Sequence, residues 1–449
     1  MSKRAVLMAA AATFLLATQR AYTAAPSAPV IDKVVPLAPD PLKKAPGVFY
    51  FDDLETESDL RKNYHDTGLK SGRFTVNAKD AFSGSKGLEM AYISIEDMKK
   101  AGHKDPGSAG WIWRFFGDNP KTSRIPASER KKHKVAVARW YHKFPEGFKP
   151  RGGTHYPPKM ARMRVFTRGA WGGAYTYLYW IGGKDGHLSL ERHTRSPKAH
   201  REWLPNYTTN FKFSNPVNQG RWIHFEMRIE IGDKGRSDNW QAWADGILIG
   251  EAGNDDMSGG WQDFCLNGMS WDTYWNGGSP VAQSRFYDDL SLSTKPMGPA
   301  RTPLNPVIQT GAFRDSDEGD ALKQWQVEVG TAKQKPLVVT KRYSSIPSGC
   351  KPYEFDRETV WASGASAEKD SLTVDAATGA FKGPLEGKQR LDPNTFYMCR
   401  IRHQDKGGEW SEWSAWHAAF ATVWPEDTAD DAKTPPKGYY LGQTMPAEK

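Results

Sequence analysis

Residues 161–180, ARMRVFTRGAWGGAYTYLYW, set Arg162 and Arg164 two apart, and Tyr175, Tyr177 and Tyr179 likewise two apart, around a glycine-containing turn. In an extended chain, residues two apart share a face. ARWYHK (138–143) repeats the pattern with Arg139, Tyr141 and Lys143, and ERH continues it with Glu191 and His193. If these strands are neighbours with faces aligned, they form a basic, tyrosine-rich band. Such a band suits a uronic-acid polymer, because guanidinium forks pair with carboxylates and aromatic rings pack on sugar faces. Arg139, Tyr141, Arg164, Tyr175, Glu191 and His193 are the expected substrate-binding residues.

Cutting such a polymer by β-elimination requires a cation on the C6 carboxylate, a base for the C5 proton and an acid for the leaving oxygen. Arg162 or Arg164 can serve as the first. His155 or Lys159, in GGTHYPPK (152–159), can serve as the second. Tyr177 or Tyr179 can supply the third, or both proton steps, since nearby arginines favour an ionised phenol. Arginine and tyrosine also populate solvated sheet faces, so these residue types alone leave binding, cutting and neither open.

A second constellation is acidic. FDD (51–53) and YDD (287–289) lie on the first and last strands of a candidate sandwich. If those strands pair, Asp52, Asp53, Asp288 and Asp289 converge, and calcium is the candidate cation for a structural clip. No cofactor is required by the chemistry above. No phosphate loop, Ser-His-Asp order or Cys/His zinc spacing is present.

These residues must be positioned by strands. From 47 to 297, short alternating runs such as VFYFDDLE, HKVAVARWYHKF, GRWIHFEMRIEIG and SRFYDDLSLS follow one another between glycines, with almost no helical periodicity. That pattern predicts an all-β, two-sheet sandwich of jelly-roll type, with the DG of ADGILIG as a hairpin turn. A proline-rich joint, KPMGPARTPLNP, leads into a second all-β unit at 303–424. Residues 25–46 read as a proline-rich linker, and 425–449 as a disordered tail. Residues 1–24 read as a secretory signal, with Lys3 and Arg4 before a short apolar run, so the expected product is exported, to the periplasm or outside the cell. No later run reaches spanning length.

The 449 residues include 18 Trp, 17 Tyr and 20 Phe, a large stock of flat aromatic surface. Net charge is +9. The first 24 residues hold +3, residues 303–424 hold 15 basic against 16 acidic (−1), and the tail holds 3 against 5 (−2). By difference the first β-unit carries about +9, so an anionic partner meets it there. Nucleic acid is a poor fit, with no helix to enter a groove and only ERKKHK (129–134) as a basic run. Of Cys265, Cys350 and Cys399, the last two, both in the second unit, are the pair expected if any disulfide forms; three buried thiols are the alternative.

Two resemblances add to this. The order KFPEGFKPRGGTHYPP, ARMRVFTR, YTYLYW, GRWIHFEMRIEIG, DNWQAWADGILIGE and WDTYWNGGSPVAQSRFYDDLSLSTKPMG resembles the polysaccharide lyases of family fourteen, which cleave alginate or glucuronate polymers on a concanavalin A-like jelly roll. The resemblance covers roughly residues 47–297. It implies that Arg162 (or Arg164), Tyr177 and Tyr179 line a cleft, and that the family's lysine loop corresponds to GGTHYPP, where only His155 or the displaced Lys159 can substitute. In the second unit, LDPNTFY (391–397), then Arg400, Arg402 and WSEWS (410–414), resembles a fibronectin type III module with its tyrosine corner and tryptophan–arginine ladder. That ladder implies a structural cation–π stack.

Overall fold

A computed structural model describes residues 29–64, 73–102, 108–117, 128, 130–150, 158–165, 175–182, 187–195, 201–203, 207–213, 215–231, 238–255, 265–275, 278–314, 321–335, 355–367, 370–423 and 435–442. The chain is all-β, as the alternation implies. Among the described residues the strands make four sheets, two to each sandwich, and no helix is long and apolar enough to cross a membrane.

The first sandwich has a back sheet and a front sheet. The back sheet runs Ile247–Asp255, Asp238–Ala244, Arg221–Glu230, Val135–Phe144, Gln283–Ser293, Gly87–Tyr92 and Phe74–Asn77, with Val48–Asp52 also paired to Gln283–Ser293. The front sheet runs Arg201–Trp203, His187–Arg195, Tyr175–Gly182, Lys159–Val165, Gly268–Tyr274 and Ser108–Phe115, with Tyr207–Lys212 also on His187–Arg195. Every pairing within these two sheets is antiparallel. Between them lie Trp140, Phe225, Met227, Met163, Met269, Trp271 and Trp275, all fully buried. Side chains of this size contribute about 1.5–3 kcal/mol each on burial, so this layer dominates the stability of the unit. The DG turn is as expected: Asp245 and Gly246 sit at φ 53° and 74°, both left-handed, as a tight hairpin requires.

The second sandwich pairs a seven-stranded sheet, containing Leu322–Gln334 and Phe396–Asp405, with a three-stranded one, over Trp325, Trp361, Tyr397 and Phe420. The Tyr397 hydroxyl accepts from the Asp392 N–H at 3.1 Å, fixing the chain at that corner. On the outer face, Trp410, Arg402, Trp413, Arg400 and Trp416 alternate in one stack, with guanidinium-to-ring distances of 4.6, 4.8, 4.9 and 5.1 Å. Glu328 and Gln326 hold the two arginines in place from the neighbouring strand.

Two boundaries differ from the sequence reading. Residues 29–46 are not a tether. Ile31–Val34 is a strand of the second sandwich, paired antiparallel with Val307–Thr310, and Pro41–Lys44 forms a short 3-10 turn against the back sheet of the first. From Ile31 on, the described chain therefore runs from one sandwich into the other and back. Within the tail, Tyr439 is buried, and the carbonyls of Tyr440 and Leu441 accept from Trp243 and Gln241 of the first sandwich. A four-residue strand and an eight-residue strap are too short for periodicity to expose, whereas proline content is conspicuous and misleading here. Finally, Cys399 is a buried free thiol; Cys350 lies outside the described residues.

The two sandwiches are fastened together. Asp245 accepts from the Ala418 and Ala419 N–H groups, and a Cβ on Gly246 would come within 2.5 Å of the Phe396 ring. Gln334 exchanges two hydrogen bonds with the backbone of Leu248.

Candidate functional site

The residues of the supposed band divide between two sheets. Arg139, Tyr141 and Lys143 lie on the back sheet, on the face turned away from the core, and that face is covered. Arg139 is fully buried and pairs with Asp40 at 2.8 Å; Ser291 accepts from its Nε. Tyr141 is buried against Phe82, ring centroids 3.5 Å apart, and its hydroxyl accepts from the Ala300 N–H. Neither can reach a substrate. The reason is the crossing of the N-terminal segment and the 295–302 joint over this face. Glu226, on the adjacent strand, accepts from the Met297 and Gly298 N–H groups. Burial pushes its carboxyl up to about 7, against the lowering effect of those N–H groups and of Arg139. Burial, and then the Arg139 charge, hold His224 well below its usual range.

Arg162 and Arg164 lie on the front sheet, again on the face away from the core, since Ala161, Met163 and Val165 between and beside them are buried inside. Both are half-buried. Their guanidinium carbons stand 5.6 and 4.9 Å from the Trp113 ring centroid. Trp113 is only 2% exposed and Ser270 is fully buried, so this is no bare solvated sheet.

The register builds two rows across this face. Ser270 is opposite both Trp113 and Arg162, Arg162 is opposite Leu178, and Leu178 is opposite Glu191. Gly268 is opposite Phe115 and Arg164, Arg164 is opposite Thr176, and Thr176 is opposite His193. Directly opposed residues share a face. Glu191 and His193 thus stand on the rows of Arg162 and Arg164, two strands away, or about 10 Å at the usual strand spacing.

The tyrosines do not join them. Tyr175, Tyr177 and Tyr179 are opposite the buried Val165, Met163 and Ala161, not opposite Arg162 or Arg164. Alternation identified which residues travel together on each strand; it could not say which parity of one strand meets which parity of the next. His155 lies outside the described residues. Lys159 sits over the Tyr274 ring at 4.4 Å. Trp113 was not singled out in the sequence, although the alternation WIW in GWIWRFFG carried the signal.

The acidic constellation is also resolved. First and last strands do pair, with Asp52 opposite Leu290. Protein donors meet most of these carboxylate oxygens, while Asp289 Oδ2 is buried with no hydrogen-bond partner among the described residues. Asp52 accepts from the Leu54 N–H and the Tyr50 hydroxyl; Asp288 accepts from the N–H groups of Phe82, Ser83 and Asp289; Asp289 accepts from the Ser83 hydroxyl. Asp53 is partly exposed, 3.7 Å from Lys43. Among the described residues no group of three or more His, Cys, Asp or Glu could hold a metal ion. Burial, with the neighbouring Asp289 charge, raises Asp288 far above the usual carboxylate range.

No family model matches the chain, and no curated protein matches it. Among solved structures, it is similar to the alginate lyase vAL-1 from Chlorella virus (14% identity, 55% of this chain and 100% of that one, TM-score 0.36). It is also similar to the alginate lyase Aly36B (14%, 60% and 98%, TM-score 0.35) and to a pentraxin from Limulus polyphemus (13%, 46% and 75%, TM-score 0.26). At such identities and scores the likeness lends no weight to a reaction or a ligand.

Proposed function

We propose that the protein is exported and binds an anionic, uronic-acid polysaccharide across the outer face of the front sheet. The observation that carries this reading is the pair Arg162 and Arg164, side by side and braced on Trp113. Two fixed guanidinium groups about one sugar apart favour a chain with a carboxylate on each residue. Alginate and glucuronan have that chemistry. The net +9 of the first unit adds long-range attraction.

Binding is favoured over cutting by one observation: the register sets Tyr177 and Tyr179 opposite core residues, away from the arginine rows. If cleavage occurs, Arg162 or Arg164 neutralises the C6 carboxylate while a base takes the C5 proton; His193, at the Arg164 row, is one candidate, and His155 and Lys159 are the others. The C5–H electron pair forms the C4=C5 double bond, and the C4–O bond breaks with its electrons on the leaving oxygen, which takes a proton from the base's conjugate acid or from water. The second sandwich, read as a fibronectin type III-like module, holds the back sheet rather than the ligand.

Affinity electrophoresis in alginate, glucuronan and a neutral polymer, with ultraviolet absorbance followed for unsaturated product, tests both parts. Retardation by the acidic polymers alone, without new absorbance, is expected. Equal mobility in all three gels would overturn the binding reading, and rising absorbance would overturn the preference for gripping over cutting.

A further inference from the structure

A cavity of about 750 Å³ opens where the two sandwiches meet, on the opposite side of the first sandwich from the arginine rows. Its size is in the range of small-molecule sites, and junctions between domains are common places for them. Its walls come from both units: Asp32, Thr310 and Arg314 from the second sandwich and its approaches, and Lys143, Glu146 and Asp80 from the first.

Its charge pattern differs from that of the front face. Three acidic groups (Asp32, Asp80, Glu146) and three basic ones (Lys79, Lys143, Arg314) cancel. They are interleaved rather than segregated. Lys143 lies between Asp32 and Asp80, at 2.6 and 2.8 Å. Burial works against that ammonium, but the two carboxylates outweigh it and its pKa is raised. Arg314 meets Glu146 at 3.0 Å and donates to the carbonyls of Pro216 and Gln219. Asp80 is further fixed by the Trp222 indole at 3.0 Å. Asp32 meets Lys143 through Oδ1 and Glu146 meets Arg314 through Oε1, and both residues line the cavity. Phe148 and Phe286 supply an apolar part of the wall.

An ion of either sign entering this cavity meets a like charge beside every opposite one. A hydroxyl group does not, because it donates to a carboxylate and accepts from an ammonium at once. We infer that the cavity is a second site, for a neutral, hydroxyl-rich ligand of mono- or disaccharide size, recognised by Asp32, Asp80, Lys143 and Glu146. This site stands independently of the acidic-polymer face.

Titration calorimetry with cellobiose, maltose, diacetylchitobiose and a uronate disaccharide, on the full chain and on Arg162→Ala, tests it. Saturable binding of at least one neutral disaccharide is expected, unchanged by Arg162→Ala and insensitive to salt, since the site has no net charge to screen. Ala282→Trp, at an exposed wall position, fills the cavity without removing a hydrogen bond and should weaken binding at least about tenfold. If Ala282→Trp does not fold, Glu146→Gln, on a side chain 54% exposed, decides instead by a loss of affinity. No saturable binding, preference for a uronate disaccharide, or unchanged affinity in the deciding variant would overturn the inference.

Discussion

The back and front sheets of the first sandwich present nearly the same sequence motif to opposite sides, and they meet opposite fates. Arg139 and Tyr141 alternate on one strand as Arg162 and Arg164 do on another. The first pair is sealed beneath Asp40 and the 295–302 joint, and its arginine is fully buried in an ion pair. The second pair is half-buried and braced on an indole. Alternation reports that a set of side chains shares a face. What covers that face is decided by segments distant in sequence.

The largest effect expected from this contrast is on the back face. Arg139→Ala leaves Asp40 buried without its cation and should cost about 3–5 kcal/mol in urea unfolding. A cost near zero would mean that the face is open to water and equivalent to the front. Removal of residues 435–442 takes away the Trp243 and Gln241 hydrogen bonds and the buried Tyr439 ring. A loss of about 2–4 kcal/mol in thermal or urea unfolding is expected, with acidic-polymer binding retained.

Glu226 sharpens the same point through pH. Its folded carboxyl titrates at about 7, above the ordinary 4.5, so between those values the folded chain holds a proton that the unfolded chain releases. Its contribution to stability therefore grows as pH falls from about 7 toward 4.5 and declines as pH rises through that window. Glu226→Gln should flatten the slope there by on the order of 1–2 kcal/mol in urea titrations at several pH values. The smallest effect belongs to the second sandwich. Trp413→Ala removes two guanidinium contacts, each worth about 0.5–1 kcal/mol, and should lower the melting temperature slightly without touching polymer binding.

Much of this architecture is legible in the chain. The dense period-two runs give the all-β class, DG gives the hairpin, and FDD and YDD give the pairing of first and last strands. Arg400, Arg402 and the WSEWS tryptophans stack because their spacing puts them on facing rows. The candidate site was less legible. Tyr177 stands opposite Met163 and Arg162 opposite Leu178, so the two are on different rows, and nothing local to either strand encodes that register. Asp52 and Asp288 looked like cation ligands because an acidic doublet is visible in sequence, while the amides of Leu54, Phe82 and Ser83 that satisfy them are not. The strand at Ile31–Val34 was hidden among prolines, and its partner Val307–Thr310 lies more than 270 residues downstream.

The most direct test is a binding isotherm of an alginate oligosaccharide on the native chain and on Arg162→Ala with Arg164→Ala, at low and moderate salt. Binding to the native chain that weakens with salt, and falls by roughly 10- to 100-fold in the double variant with its melting temperature unchanged, is the expected result. Equal affinity in the two proteins, or no affinity in either, would contradict the assignment of the front sheet as the polysaccharide face.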